Sequence, residues 1–193
     1  MRVTILLALA LIACKTEPQQ KIEVLWFDLP NLVNELVLNM DNKNHRATKT
    51  FTLNSDTEIK KYDSSDSIFW ARELAVLREI DLNSPQLRDV ISINNNLKDE
   101  NSNLLIDEYL VADDNTALYK KLSIYYLKES SEIRQVYAEL TSDNLISKSS
   151  TKFSLWINRY NNKLIIDSLQ IIGCDKTFMQ PEREYHIITR TTW

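Results

Sequence analysis

Hydrophobic residues recur at helical spacing in the first half of the chain. From Leu29 to Met40 the apolar positions form one stripe with a proline near its first turn, which predicts an amphipathic helix. A second stripe from Ile68 to Ile80, capped by Asp66 or Ser67, predicts another helix, and a short third one begins at Ser84-Pro85 and ends near Ile91. The predicted buried face of the second helix is Trp70, Leu74 and Leu77, flanked by Ala71 and Ile80.

Runs typical of β-strands dominate the rest of the chain. Residues 46–62 form a predicted hairpin, and the polar segment Asn94–Asn103 predicts a loop. From Leu104 onward, runs rich in β-branched and aromatic residues recur about every ten positions, which indicates an antiparallel meander. The predicted strands are Leu105–Ala112, Ala117–Leu127, Glu132–Leu140, Lys152–Arg159, Leu164–Ile172 and Glu184–Arg190.

The register of one strand pair follows from side-chain chemistry. Placing Ile124 opposite Val136 collects the apolar side chains of both strands on one face, whereas a shift by one residue mixes the two faces. The same register places Leu122 opposite Ala138. It also predicts two opposite-charge pairs, Lys121 with Glu139 and Lys128 with Glu132.

The predicted sheet has two unlike faces. One face is apolar and must be covered, so the fold class is α+β: an antiparallel β-sheet meander with two to three helices from the N-terminal half covering one face. The other face mixes aromatic rings with polar groups and few charges. The apolar side chains are Leu122, Ile124, Val136, Ala138, Phe153, Leu155 and Ile157, and the mixed face carries Ser123, Tyr125, Gln135, Tyr137, Trp156, Asn158 and Tyr160.

Several common chemistries are excluded by the scarcity of the residues they need. Gly173 is the only glycine, so a P-loop, a dinucleotide-binding fingerprint and a nucleophile elbow are all absent. Turns with positive φ must then use asparagine or aspartate. His45 and His186, the only histidines, have no partner at metal-binding spacing. We therefore expect no metal and no cofactor.

Carboxylates offer the remaining chemistry. The pairs Asp99-Glu100, Asp107-Glu108 and Asp113-Asp114 could in principle bind calcium, but turn chemistry and solvated loop ends are the favoured explanation. Asp113-Asp114 lies where a hairpin needs turn-forming residues. Glu73 and Asp167 are imaginable partners for acid–base catalysis, yet nothing in their spacing distinguishes them from surface charges. Because no nucleophile–base arrangement is present, we expect a protein that is not an enzyme.

Charge and size narrow the class of protein further. The chain has 23 basic and 27 acidic side chains in 193 residues, well mixed, which disfavours nucleic acid as a partner. Its length suits one ordinary domain, which can bury enough surface to fold without disulfide bonds or a structural metal. Of the two cysteines, Cys174 has the pattern of a buried small hydrophobe rather than a reactive thiol.

The other cysteine follows a short apolar N-terminal run. Arg2 precedes an uninterrupted apolar or small-residue stretch from Val3 to Ala13, which is too short to span a bilayer, and Cys14 comes next. Leu11-Ile12-Ala13-Cys14 resembles the lipobox of bacterial lipoproteins. The resemblance implies a signal peptide over 1–13, lipid (palmitate-type acyl chains) on Cys14 with a tether over 14–24, and one globular domain over 25–193.

The same resemblance implies a location. Lipid on Cys14 anchors the protein in the bacterial cell envelope, and Lys15, which is not the inner-membrane retention aspartate of enterobacteria, favours the outer membrane facing the periplasm. Trp70–Leu74, Asp81–Pro85 and a Tyr-rich meander make the chain similar to uncharacterised lipoproteins of the Bacteroidetes type. The architecture is also similar to the carrier fold of LolA and LolB type proteins, although about eight predicted strands are fewer than their half-barrel has.

The mixed face is the candidate site for function. Its large aromatic rings with polar ends are typical of protein interfaces, but also of the solvated side of a sheet, or of a cavity for an apolar ligand if the sheet curls. We expect a non-enzymatic envelope lipoprotein that binds or assembles through this face, with a carrier of a lipid or other apolar ligand as the alternative. The candidate binding residues are Tyr125, Tyr137, Trp156 and Tyr160.

Overall fold

A computed structural model describes residues 26–41, 45–87, 89–112 and 119–192 of the chain. Cys14, the signal segment, the tether and the Asp113–Thr116 turn lie outside these ranges. The described elements are α1 (Leu29–Asn39), β1 (Arg46–Leu53), β2 (Asp56–Tyr62), α2 (Ser67–Glu73), α3 (Ala75–Arg78), a 3-10 turn (Pro85–Leu87), β3 (Ile91–Lys98), β4 (Leu104–Val111), β5 (Tyr119–Leu127), β6 (Ile133–Asp143), β7 (Ser147–Tyr160), β8 (Lys163–Thr177) and β9 (Arg183–Thr192).

Nine strands within the described ranges form one antiparallel sheet in the order β2-β1-β9-β8-β7-β6-β5-β4-β3. The chain from β3 to β9 is a simple meander, and the β1–β2 hairpin joins it beside β9, the last strand. The segment that contains α2, α3 and the 3-10 turn connects β2, at one edge of the sheet, to β3, at the other edge. The predicted α+β class, an antiparallel meander with helices on one face, is confirmed.

Helix α1 has the predicted extent and the predicted buried stripe. The side chain of Asp28 accepts a hydrogen bond from the backbone N–H of Asn31 at 2.9 Å, which satisfies one of the free donors at the helix start. At the other end, the amide of Asn39 donates to the carbonyl of Leu164 on β8. The stripe residues Leu29, Leu32, Val33, Leu36 and Met40 are all buried.

The second predicted helix is broken in two. Asp66 caps its start, accepting a hydrogen bond from the N–H of Phe69 at 3.0 Å. At Leu74 the backbone leaves the helical region (φ −99°, ψ 7°), so α2 ends and α3 begins one residue later. The predicted buried side chains Trp70, Leu74 and Leu77 are nevertheless fully buried, because the break preserves the apolar face.

Two sequence predictions between Ser84 and Asn103 are wrong. The third helix is reduced to the 3-10 turn, and Ile91 begins strand β3 instead. The segment predicted as a loop is strand as far as Lys98, with a bulge between Asn94 and Leu97. Because β3 is an edge strand whose outer half is exposed, its side chains lack the apolar alternation by which strands are recognised.

The predicted strand register is largely confirmed. Ile124 lies opposite Val136, and the same alignment pairs Leu122 with Ala138 and Lys121 with Glu139. The predicted pairing of Lys128 with Glu132 is wrong, because an irregularity after Tyr125 shifts the register and Leu127 bonds to the carbonyl of Glu132. The carboxylate of Glu132 instead forms ion pairs with Arg134 at 3.1 Å and Arg159 at 2.8 Å.

The core lies between the helices and one face of the sheet. All seven predicted apolar side chains of that face are buried, and they form one cluster with the helical stripes. A polar contact also joins the layers, since Lys49 of β1 lies 2.7 Å from Glu73 of α2 and Thr189 lies 3.4 Å from the same carboxylate. Glu73 is therefore a structural anchor of α2.

Asparagine takes the place of glycine in the turns, as the composition predicts. Of the described residues with positive φ, Asn54, Asn96, Asn161 and Asn162 are asparagines, and Ser131 and Met179 are the exceptions. Asn161 and Asn162 are consecutive, which is the backbone pattern of a two-residue hairpin turn that follows the twist of the strands.

Candidate binding face

The face of the sheet opposite the helices is here called the open face. The described helices pack on one another and on the buried face through contacts such as Met40 to Ile166 and Glu73 to Lys49. Among the described residues, no helix covers the open face. Two adjacent rows of side chains cross it, each formed by residues paired across neighbouring strands. The first row is Tyr125, Gln135, Trp156, Ser168 and Arg190, and the second is Ser123, Tyr137, Ser154, Gln170 and Ile188.

Three of the four predicted binding residues lie close together on the open face. Tyr125 and Trp156 share one row with Gln135 between them, so their backbones are about 10 Å apart, or two strand spacings. Tyr137 is in the adjacent row. All three are half-buried, and Ser123 beside them is fully buried, so the neighbouring side chains lie over the strand.

Tyr160 is separate from this cluster. It stands at the end of β7 opposite Lys163, about 13 Å along the strand from Trp156, and 61% of its surface is exposed. Asn158, between the two, accepts a hydrogen bond from Arg134 at 2.9 Å. The candidate site is therefore the aromatic cluster Tyr125, Tyr137 and Trp156, without Tyr160.

Charged groups border the aromatic cluster on one side. Lys121 forms an ion pair with Glu108 and faces Glu139 across the strands. The hydroxyl of Tyr137 donates to Glu139 at 3.3 Å. Burial raises the pKa of Tyr137 to about 12, and the charge of Glu139 and this hydrogen bond act in the same direction. Tyr137 is therefore neutral and a hydrogen-bond donor at ordinary pH.

This raised pKa makes a prediction about alkaline stability. The folded state favours the neutral phenol, so its contribution is complete below about pH 10 and is lost as the pH rises towards 12. We expect urea unfolding to show a steeper loss of the free energy of unfolding over this window for the wild type than for Tyr137→Phe. Equal slopes would contradict the assignment. Absolute stabilities are not compared, because the variant also lacks the bond to Glu139.

Two shallow depressions lie on the open face beside the cluster. One, of about 320 Å³, contains Trp156, Asp167, Ser168, Gln170, Ile188 and Arg190. The other, of about 590 Å³, lies towards the β8–β9 turn and includes Lys152, Ile172, Cys174, Glu184 and His186. The expectation that Cys174 is buried is wrong: it is half-buried, because its strand position lies on the open face. The side chains of Gln170 and His186 lie 2.7 Å apart between the two depressions. Together they extend the cluster into an uneven surface of mixed polar and apolar character.

A third depression lies on the helix side, at the end of the sheet. It measures about 740 Å³, and its apolar lining is Phe27, Leu105, Ile124 and Ile133. Its rim is polar: the hydroxyl of Tyr126 lies 3.0 Å from Asp107, and the N–H of Asn96 donates to the same carboxylate at 2.8 Å. We call it the helix-side groove.

The residues considered for acid–base catalysis are not brought together. Glu73 bonds to Lys49 on the helix side, whereas Asp167 and His186 line different depressions of the open face. Asp99 accepts hydrogen bonds from Asn101 and Ser102, which is turn chemistry. In the described part of the chain, no group of three or more histidine, cysteine or acidic side chains is arranged to hold a metal ion.

Sequence reasoning missed part of the candidate surface. Ser168, Gln170 and Arg190 join Trp156 because β8 carries an extra residue opposite the step from Trp156 to Ile157 and because β9 pairs with β8. Leu164, Ile165 and Ile166 are all apolar, so alternation alone could not reveal this register. The helix-side groove was also missed, since it depends on where Phe27 meets the sheet.

Comparison with known proteins identifies no relative. No family model matches the chain, and neither a curated protein nor a solved structure matches it. Within the described ranges, none of the helices has the length and apolar character needed to cross a membrane.

Proposed function

We propose that this protein is a non-enzymatic, lipid-anchored module of the bacterial cell envelope that binds a protein partner through its open face. The observation that carries the proposal is the aromatic cluster: Tyr125, Tyr137 and Trp156 lie half-buried and adjacent on a face that no described helix covers. An uncovered sheet face with three neighbouring aromatic rings is suited to contact with another macromolecule.

The composition around Trp156 supports a protein as the partner. Tryptophan, tyrosine and arginine are the residue types that dominate binding energy at protein interfaces. Here Trp156 and Arg190 line the same depression, and Tyr125 shares their row. Rigid rings with few rotatable bonds lose little entropy on binding, and their polar ends offer hydrogen bonds at the rim.

The anchor and the location belong to the same proposal. The lipobox-like Leu11-Ile12-Ala13-Cys14 supports lipid on Cys14, and two or more acyl chains suffice for stable attachment to a membrane. Residues 14–24 then serve as a tether between membrane and domain. We place the protein at the outer membrane facing the periplasm, where its partner would be another envelope protein.

The proposal is tested by removing the largest ring of the cluster. A photo-reactive amino acid at Ser154, which lies between Tyr137 and Gln170 on the open face, is expected to give a discrete cross-linked protein in intact cells that express the full chain. Trp156→Ala is expected to lower the yield of this product about 30-fold or more. Ile68→Ala, which alters an exposed side chain on α2, is the matched control and should leave the yield unchanged. Cross-linking that is insensitive to Trp156 would refute the proposal.

A second candidate function rests on the helix-side groove. Its volume of about 740 Å³ lies in the range of small-molecule sites, and its apolar lining with a polar rim suits a lipid or other apolar ligand. This is the geometry that a carrier requires. It is the weaker candidate because the groove is open rather than enclosed, and the core beside it is filled by side chains.

Native mass spectrometry separates the two candidates. The full chain, extracted from membranes in detergent, is expected to carry no bound small molecule besides its acyl chains if the open face is the functional site. A bound apolar molecule that denaturation releases, and that Leu105→Trp excludes by filling the groove, would support the carrier instead. Trp156→Ala should not affect such a molecule, since it lies on the other face.

A further inference from the structure

Two neighbouring hairpins end in a shared apolar tip, which we define as Leu145, Ile146, Phe178 and Met179. The hairpins β6–β7 and β8–β9 lie side by side because β7 and β8 pair over their whole length, as far as Ser147 opposite Thr177. The backbone N–H of Phe178 donates to the carbonyl of Ile146 at 2.8 Å, which continues the pairing into the turns. The two turns therefore form one unit.

All four side chains of the apolar tip are largely exposed to solvent, so packing in the core of the domain does not account for their apolar character. Their exposed fractions are 102%, 68%, 68% and 89% in chain order. Other exposed apolar residues, such as Leu38 and Ile59, stand on separate elements. Single exposed apolar side chains are ordinary, but a contiguous group indicates an interaction site.

The backbone holds these side chains outward in a fixed arrangement. Asn144 accepts hydrogen bonds from the N–H groups of Ile146 and Ser147, both at 2.9 Å, and its own N–H donates to the carbonyl of Ser147. Met179 has φ 62°, a conformation rarely adopted by a long side chain. The N–H of Gln180 donates to Thr177 at 3.0 Å. These bonds satisfy the backbone N–H groups of Asn144, Ile146, Ser147 and Gln180 within the turns, which lowers the cost of bringing them close to acyl chains.

Two lysines border the depression between the two turns of the tip. A depression of about 440 Å³ between the turns is lined by the tip residues together with Lys148 and Lys176, and none of its described lining residues is a carboxylate. The two lysines face each other across β7 and β8, an arrangement that repels when nothing lies between them. Lys148 also contacts Asp143 at 2.7 Å, but both side chains are mostly exposed, so this pair is weak.

We propose that the apolar tip inserts into the interface of a lipid bilayer that contains anionic headgroups, with Lys148 and Lys176 at the lipid phosphates. Apolar side chains beside lysines match the boundary between acyl chains and headgroups. Phe178 and Met179 would also suit a protein interface, but the lysines beside them would not, and the tip has no tryptophan, tyrosine or arginine, so a lipid surface is the better match. The inference does not depend on the function proposed for the open face.

The test maps which residues touch lipid. The full chain is reconstituted in vesicles of about 70% phosphatidylcholine and 30% phosphatidylglycerol, including a phosphatidylcholine with a photo-reactive acyl chain, and labelled peptides are identified by mass spectrometry. We expect peptides containing 144–148 and 177–180 to be labelled about tenfold more than those containing Leu38 or Ile59, which are similarly exposed elsewhere. Equal labelling of tip and control peptides would overturn the proposal.

Variants then separate the apolar and the charged contributions. Leu145→Ser with Met179→Ser should reduce labelling at the tip to the level of the control peptides, while Leu38→Ser with Ile59→Ser should not change labelling at the tip. Lys148→Gln with Lys176→Gln should lower it fivefold or more with phosphatidylglycerol present, but not in pure phosphatidylcholine. Undiminished labelling of the serine tip variant would overturn the proposal. Trp156→Ala should leave labelling unchanged, which keeps this test separate from that of the open face.

Discussion

Replacing Trp70 by alanine is expected to destabilise the domain by about 3 to 5 kcal/mol, the range typical of a buried tryptophan. Trp70 is fully buried on α2, and its ring meets that of Phe69 edge to face with centroids 5.3 Å apart. It belongs to the core cluster that joins the helices to the sheet. Its removal therefore leaves a cavity where helices and sheet meet, and the loss is a large part of the stability of an ordinary domain.

The measurement is the midpoint and slope of urea unfolding for wild type, Trp70→Ala and Ile68→Ala. Ile68 is the matched control, since it is an apolar residue of the same helix that is exposed and should change stability by less than about 0.5 kcal/mol. Trp70→Phe should cost less than Trp70→Ala, because the indole N–H has no hydrogen-bond partner among the described residues and its removal offsets part of the lost packing. Similar losses for Trp70→Ala and Ile68→Ala would contradict the packing described.

Replacing Gly173 by alanine is expected to cost about 1 to 3 kcal/mol, although alanine normally suits a strand better than glycine. The ring of Tyr185 lies directly over Gly173, so that an added Cβ would clash with it. The hydroxyl of this tyrosine is held by Thr151 at 2.7 Å. Because the ring must move to admit a methyl group, the substitution also breaks that hydrogen bond.

A double-mutant cycle shows whether the ring is the cause. In a Tyr185→Ala background, Gly173→Ala should stabilise the protein by about 0.5 to 1 kcal/mol, because the strand gains from a less flexible residue and nothing obstructs it. In a Tyr185→Phe background, which keeps the ring and removes only the hydroxyl, the same substitution should still destabilise. A cost that persists without the ring would show that the obstacle at Gly173 is something other than Tyr185.

The sequence shows that Gly173 is the only glycine, but it does not show why glycine is needed at this position. The reliance on asparagine for turns is also evident from the sequence. That Tyr185 covers it follows from the pairing of β8 with β9, which places the two residues opposite each other. Sequence separation gives no sign of this contact, since the apolar run from Leu164 to Ile166 leaves the strand register open.

Local signals predicted most helices and strands, and they failed where burial was low or irregular. The stripe of α1 and the register of Ile124 with Val136 are confirmed because each places apolar side chains on one surface. Strand β3 was predicted as a loop because an edge strand needs little apolar alternation. The break at Leu74 was missed because the apolar face continues through it unchanged.

The sequence by itself determined the α+β class, the antiparallel meander, the apolar stripes and the residue types of the open face. These are consequences of local periodicity, which each element carries in its own side chains. Tertiary structure alone decided that β1 joins β9, that Arg190 and Ser168 stand beside Trp156, and that Ile146 and Phe178 meet at one tip. Such contacts depend on strand order and bulges, where distant segments compete for the same partners and no local pattern decides between them.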